Sequence, residues 1–285
     1  MQEMKKLVLF DLDGTLINAG GAGKSALTKA IKELYGKEPK FEVSLIAGRT
    51  DTDNFGIVYE LVKGKKATKT EIKKIHAKYL ELLPNEVKNS CKKKTYKLLT
   101  GVKKFLETLS KEKDVILALG TGNVEEGAYI KLEPSGLSKF FALGGFGEDG
   151  KTREEMLKAA VKRAEKKFKI KLAPEQVFVV GDTHRDVSAA KACGFHHALI
   201  LPVEPKDRRL QLSPAELEVK DFKDIETFYV WLGLDSDPKG VKRGIYISPA
   251  SAIEHVFFSR TGIDEDRLKM LKIKKYEDLP SGTIM

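Results

Sequence analysis

Apolar residues recur along this chain in two rhythms. Short unbroken runs, at residues 7–10, 115–119, 177–180 and 197–201, have the length and continuity of strands buried on both faces of a parallel sheet. Other stretches place apolar residues every three or four positions, as one face of a helix does. The first of these runs from Ser25 through Leu27 and Ile31 to Tyr35, and Gly36 stops it. A second over 52–62 aligns Phe55, Val58, Tyr59 and Val62 and closes at Gly64. The third, over 70–83, aligns Ile72, Ile75, Tyr79 and Leu82 or Leu83, with Thr68 or Thr70 as cap and Pro84 as interruption. A further helix over 101–109 turns Val102, Phe105, Leu106 and Leu109 inward.

Beyond residue 115 the rhythms alternate. A strand at 115–119 and a strand at 140–143 are followed by a helix over 154–167, a strand at 177–180, a helix over 186–193, a strand at 197–201 and a helix over 224–232. Such alternation specifies an α/β fold, a doubly wound parallel sheet covered by helices on both faces. The segment 18–95 shows no strand-like alternation and reads as an inserted all-helical domain. The expected organisation is a discontinuous α/β core of residues 1–17 and 96–234, a helical insertion at 18–95, and an extension at 235–285. In that extension 235–240 reads as a linker, 244–248 as a strand, and Ile253, Val256 and Phe257 have helical spacing. It is expected to pack back on the core or to join a homo-oligomer interface.

Composition narrows the class. With 285 residues, 41% hydrophobic and 32% charged, the chain is long enough for a sizeable core and reads as a globular protein. No apolar run approaches the ~18 residues of a membrane span, and the two carboxylates after residue 10 cut short any secretory h-region, so the cytoplasm is the expected location. Cys91 and Cys193 lack metal-ligand spacing and read as free thiols. A formal net charge of +10 raises nucleic acid as a partner, but the lysine clusters lack interleaved aromatics. They read as solvated faces that also attract anionic substrates.

Chemistry concentrates at the strand ends. The first run ends in Asp11-Leu12-Asp13-Gly14-Thr15, two carboxylates leaving one strand on the same side. Like charges held together need a cation or a chemical task. Thr121-Gly122-Asn123 follows the second strand, and Gly181-Asp182-Thr183-His184-Arg185-Asp186 follows the apolar run at 177–180. Gly20-Gly21-Ala22-Gly23-Lys24-Ser25 ends like a nucleotide-binding loop, but Asn18 stands where the first glycine is required, so it reads as a flexible connection to the insertion.

Together, D-x-D-G-T, the strand-terminal threonine and G-D-T-x-x-D resemble, in order, the motifs of the haloacid dehalogenase-like phosphohydrolase superfamily, in its helical-cap, phosphoglycolate phosphatase-like subclass. The resemblance spans the chain to about residue 234 and implies a Rossmann-like core with 18–95 as the cap. It implies a Mg²⁺-dependent phosphohydrolase acting on a small phosphorylated metabolite, a phosphoglycolate- or sugar-phosphate-like compound. Asp11 would be the nucleophile that forms an aspartyl-phosphate and Asp13 the acid and base. Thr121, Gly122 and Asn123 would hold the phosphate. The implied metal set is Asp11, Asp13, Asp182 and Asp186. The third motif, a cation, is Lys151 or Arg153, with Lys151 slightly favoured. Arg49, just before a cap helix, is the candidate contact to the leaving group. Asp13 argues against a dehalogenase, whose halide leaving group needs no proton. A phosphosugar mutase of the same superfamily is the alternative enzyme, and a basic RNA- or polyanion-binding protein the alternative from another class.

Overall fold

The computed structural model describes residues 5–201 and 215–234. The apolar runs become the centre of a six-stranded parallel sheet of order β5-β4-β1-β6-β7-β8. β1 (Lys6–Phe10) lies between β4 (Val115–Gly120) and β6 (Val177–Gly181), with Phe10 opposite both Leu119 and Val180. Because side chains alternate along a strand, β1 serves two cores. Val8 and Phe10 enter one, with α4 (Val102–Leu109) and α8 (Ile225–Trp231), while Leu7 and Leu9 enter the other, under α6 (Arg153–Phe168) and α7 (His184–Ala192). The first core is aromatic: Phe10, Phe105, Phe222 and Phe228 pack with ring centroids 4.6–6.5 Å apart, mostly tilted or edge-on. β7 (His196–Ile200) and a short β8 (Leu217–Val219), for which the sequence carries no clear signal, complete one edge.

Three helices are inserted between β1 and β4, as the periodicity predicts: α1 (Ala22–Tyr35), α2 (Asp51–Lys63) and α3 (Lys69–Lys92). Their chain leaves and returns through a two-stranded antiparallel ribbon, β2 (Ile17–Asn18) against β3 (Lys97–Leu98). The fold is thus a doubly wound parallel-sheet core with an inserted all-helical cap. α3 corrects one expectation, because it continues through Pro84 for a total of 24 residues. Pro84 lies on the exposed side, and beyond it Glu86, Val87 and Ser90 are buried. Glu86 accepts hydrogen bonds from Ser25 and Lys29 of α1, each at 2.5 Å, so tertiary contacts outweigh one missing backbone bond.

Two more differences lie after β4. The expected strand at 140–143 is instead a short 3₁₀ turn, Ser138–Phe140, followed by an irregular segment, and the sheet's edge is the two-residue β5 (Gly144–Gly145). Phe141 and Leu143 are both buried, Phe141 with its ring 6.0 Å from the Phe10 ring and Leu143 with its carbonyl accepting from Leu119 N of β4 at 3.1 Å, though neither residue is within a strand. A helix with no apolar periodicity, α5 (Glu125–Leu132), precedes them. Both cysteines are free thiols. Among the described residues no helix is long and apolar enough to cross a membrane. The expected elements of 235–285, and any interface formed there, lie outside the described residues.

Candidate active site

Ligands of open parallel sheets bind at the carboxyl ends of the strands, where the strand order reverses. Here that place is the end of β1, and three adjacent strands each deliver a motif to it. Asp11 is the first residue beyond β1, and its amide still bonds Val180 O at 2.9 Å. Leu12 N donates to its carboxylate at 2.8 Å. The chain then turns tightly, with Leu16 N and Ile17 N both bonded to Leu12 O. Gly14 makes the turn possible: its φ is +89°, and a Cβ there would stand 2.1 Å from Asp182 Oδ2. No other residue type allows that approach.

Asp182 follows β6, and Thr183 rather than Asp182 caps α7. Asp186 closes the capping box, accepting from Thr183 N at 3.0 Å and Thr183 Oγ1 at 2.6 Å. Carboxylate oxygens of Asp11, Asp182 and Asp186 all lie within 4.8 Å of one another. Arg153, at the start of α6, bonds Asp186 and reaches Asp11 at 3.3 Å. Burial pushes the Asp11 carboxyl up to about 6; Arg153 pulls against this, while Asp186 adds to it. Burial, then the charges of Asp11 and Asp186, raise Asp182 well above the ordinary carboxylate range. One arginine is therefore not enough positive charge for three clustered carboxylates. Hard oxygen donors with uncompensated negative charge fit a small divalent cation such as Mg²⁺.

Asp13 stands apart from that cluster. Its Oδ2 accepts from Lys131 Nζ at 2.6 Å and Asn123 Nδ2 at 3.0 Å, and Asn123 Oδ1 in turn accepts from Lys131. Asn123 Nδ2 also reaches Thr121 Oγ1 at 2.8 Å, and a hydrogen bond from Thr121 lowers the Asp11 carboxyl in part. Burial alone would push the Lys131 ammonium down; the charge of Asp13, with Tyr79 and Asp51, holds it above the usual lysine range. Lys131 sits on α5, whose buried side is Gly127, Ala128, Lys131 and Leu132. A lysine between Ile130 and Leu132 was the one available signal, and the sequence reading misses it because small residues supply no periodicity.

Among the sequence candidates, Asp11, Asp13, Thr121, Gly122, Asn123, Arg153, Asp182 and Asp186 converge here. Lys151 does not: it is exposed, its amide donates to Glu155 Oε2 at 2.5 Å, and it does not line the cavity. Arg153 is the cation that the fold brings to the carboxylates. Arg49 is exposed but lines the same cavity, its Nε donating to Leu45 O at 3.1 Å.

The cavity measures about 340 Å³ and lies between core and cap, with Asp11, Asp13 and Asp182 on one side and Lys24, Asn54 and Tyr79 on the other. The cap is tied directly to the motif after β4. Asp51 N bonds Gly122 O at 2.7 Å and Asp51 Oδ2 accepts from Val124 N at 3.1 Å. Burial raises the Asp51 carboxyl, opposed by Lys131. Such a cavity presents two carboxylates in unlike surroundings, Asp11 buried and Asp13 half-exposed.

Comparisons with known proteins agree with this geometry. A haloacid dehalogenase-like protein from Streptococcus pneumoniae superposes with a TM-score of 0.57 at 18% identity, covering 80% of this chain and 100% of that one. A predicted phosphoglycolate phosphatase from Haemophilus somnus gives 0.57 at 24% identity over 80% and 99%. CbbY from Rhodobacter sphaeroides, solved with phosphate, gives 0.61 at 16% identity over 78% and 96%. At these identities the likeness concerns the fold. A comparison with curated protein sequences gives no match. The family model for haloacid dehalogenase-like hydrolases matches residues 8–200, from the middle of β1 to the end of β7 and so across every motif of the site. With that match over the same strand ends that gather the three carboxylates, this chain belongs to the haloacid dehalogenase-like hydrolase family.

Proposed function

We propose that the protein is a Mg²⁺-dependent phosphatase of small phosphorylated metabolites, working through an aspartyl-phosphate on Asp11. The observation that carries this reading is the separation of the first motif's carboxylates. Asp11 lies in a metal-competent cluster with Asp182 and Asp186, whereas Asp13 is held by Lys131 and Asn123 outside it. Two carboxylates with distinct partners suit two distinct roles.

In this reading Asp11, Asp182 and Asp186 hold the cation, which supplies positive charge against the phosphoryl oxygens and favours ionised Asp11. Asp11 attacks phosphorus, and the ester oxygen leaves with a proton from Asp13. Asp13, now basic, takes a proton from the water that hydrolyses the acyl phosphate. Lys131 and Asn123 keep the Asp13 carboxylate oriented throughout. Thr121, the Gly122 backbone and Arg153 contact the transferring group and offset its charge. The cap, taken as residues 18–95, covers the leaving group, with Arg49 at its edge.

The test is phosphate release from a panel of phosphomonoesters with Mg²⁺, with a chelator, and with Asp11→Asn. Hydrolysis that needs both the metal and Asp11 is expected. Activity that survives Asp11→Asn, or an isomerised sugar phosphate forming without inorganic phosphate, would overturn the proposal.

A further inference from the structure

The positive charge of this chain is unevenly placed. Residues 18–95 hold 17 lysines and arginines against nine aspartates and glutamates, an excess of eight in a chain whose formal net charge is +10. The cap thus carries most of the surplus, and α3 gathers it at its two ends. Lys63, Lys65, Lys66, Lys69, Lys73 and Lys74, around the α2–α3 turn and the start of α3, are all exposed. Lys88, Lys92, Lys93, Lys94 and Lys97, at and just beyond its far end, are exposed as well. Among the described residues none of these lysines forms an ion pair. The one acid within the first group, Glu71, accepts from Thr68 N and the Tyr59 hydroxyl, and the second group contains no acid.

The helical lysines share a face. At about 100° per residue, Lys73, Lys74, Lys88 and Lys92 fall on the side of α3 opposite Ile75, Tyr79 and Leu83, which it buries. Glu81 lies on that side too, but Lys78 pairs with it at 2.8 Å. Unpaired like charges along one helix and its ends repel one another, and a polyanion relieves that repulsion. The spacing says which polyanion. The two groups centre on the ends of α3, Lys69 and Lys92, which at ~1.5 Å per residue are roughly 35 Å apart. One turn of duplex DNA is about 34–36 Å, after which each strand presents its phosphates on the same side again. The exposed side of α3 carries no aromatic residue on which unpaired bases would stack and no large apolar one to enter a membrane interface.

We propose that the outer face of α3, with the lysine groups at its two ends, is a docking surface for the phosphate backbone of duplex DNA, engaged without regard to sequence. Lysines meet phosphates as point charges and read no base edge in doing so. None of these lysines lines the cavity, which Tyr79 lines from the opposite face of α3, so the surface is separate from the candidate active site. It goes beyond the phosphatase reading and does not depend on it. Each phosphate neutralised releases counterions, so about five contacts make log K fall against log salt with a slope of about −4 to −5.

The test is fluorescence anisotropy of the full chain with a labelled 24-base-pair DNA duplex lacking terminal phosphates, which offers the active site no phosphomonoester. Micromolar binding at about 50 mM salt is expected, with the slope just given. An 8-base-pair duplex, about 27 Å long, falls short of both lysine groups and should bind at least tenfold more weakly per register. Lys65→Gln/Lys66→Gln/Lys74→Gln and Lys88→Gln/Lys92→Gln/Lys93→Gln should each weaken binding about tenfold or more. An equal loss of charge on α6, Lys158→Gln/Lys162→Gln/Lys166→Gln, should change it by less than about threefold. A loss as large in the α6 variant would reduce the effect to net charge, and equal affinity for the two duplexes would remove the two-ended geometry; either overturns the proposal. So does an absence of binding at 100 µM protein, or binding to single-stranded DNA or phosphatidylserine vesicles that exceeds binding to the duplex. Thermal unfolding reports whether the variants keep the fold. Should a triple variant lose it, Lys66→Gln and Lys93→Gln take its place, each lowering the salt slope by about one, and an unchanged slope in both overturns the surface.

Discussion

Replacing Arg153 by methionine keeps most of the side chain's volume and removes the one cation that, among the described residues, contacts both Asp11 and Asp186. The arginine is 9% exposed, and its partners 8% and 3%, so solvent does little to screen what is lost. Removing one partner of a buried pair costs about 3–5 kcal/mol. Here the loss has a pH signature. Asp11 is raised from 3.8 to about 6 by burial, and Arg153 is the chief influence holding it down. A raised carboxylate binds its proton more tightly folded than unfolded. Its penalty is therefore absent below pH 3.8, grows as pH rises toward 6, and is fully present above. Without Arg153 that rise is larger, and Asp182 follows in the same direction. In metal-free buffer the variant should lose about 3–5 kcal/mol at pH 8, a fall in Tm of roughly 6–20 °C for a domain of this size. At pH 5, where protonation relieves the repulsion, the loss should shrink to about 1–2 kcal/mol. Urea and thermal unfolding at the two pH values measure both. A deficit equal at pH 5 and pH 8, or below about 1 kcal/mol at pH 8, would show that the cluster is not electrostatically strained and that the case for a cation is unfounded.

Other substitutions probe other links. Lys131→Met should lower kcat by roughly 10²–10³-fold, since Asp13 loses the group that orients it for proton transfer; steady-state kinetics that leave kcat within twofold would refute the assignment. Gly14→Ala places a Cβ 2.1 Å from Asp182 Oδ2 at a φ of +89°, so it should abolish metal-induced thermal stabilisation, read by scanning calorimetry with and without Mg²⁺. Pro84→Ala restores a donor to Leu80 O within α3 on an exposed position and should raise stability by about 1–3 kcal/mol in urea titrations, with a decrease counting against the helix register.

The sequence by itself determined the core strands, the helical insertion and the strand ends at which the carboxylates gather. Four of the sheet's six strands coincide with the apolar runs, and strands buried on both faces of a parallel sheet require such runs whatever surrounds them. Asp11, Asp13, Asp182 and Asp186 were legible because each sits at a fixed offset from such a run or in a helix's first turn. Helix stops at Gly36 and Gly64 were legible for an equally local reason, the left-handed backbone at both.

Tertiary structure alone decided what depends on facing. Lys151 and Arg153 are two residues apart with equal charge, and only the start of α6 against the sheet sends one into solvent and the other onto Asp11. Lys131 was hidden because its helix is buried through glycine and alanine, residues without periodic contrast, and its value comes from a carboxylate 118 positions earlier in the chain. α3 passes Pro84 because its far half packs on α1, a contact invisible to local propensity. The same holds for Lys24 of α1 and Tyr79 of α3, which line one cavity only because those two cap helices pack on each other. Local order follows from neighbouring residues, whereas a site is a meeting of distant ones, and that meeting is made by packing.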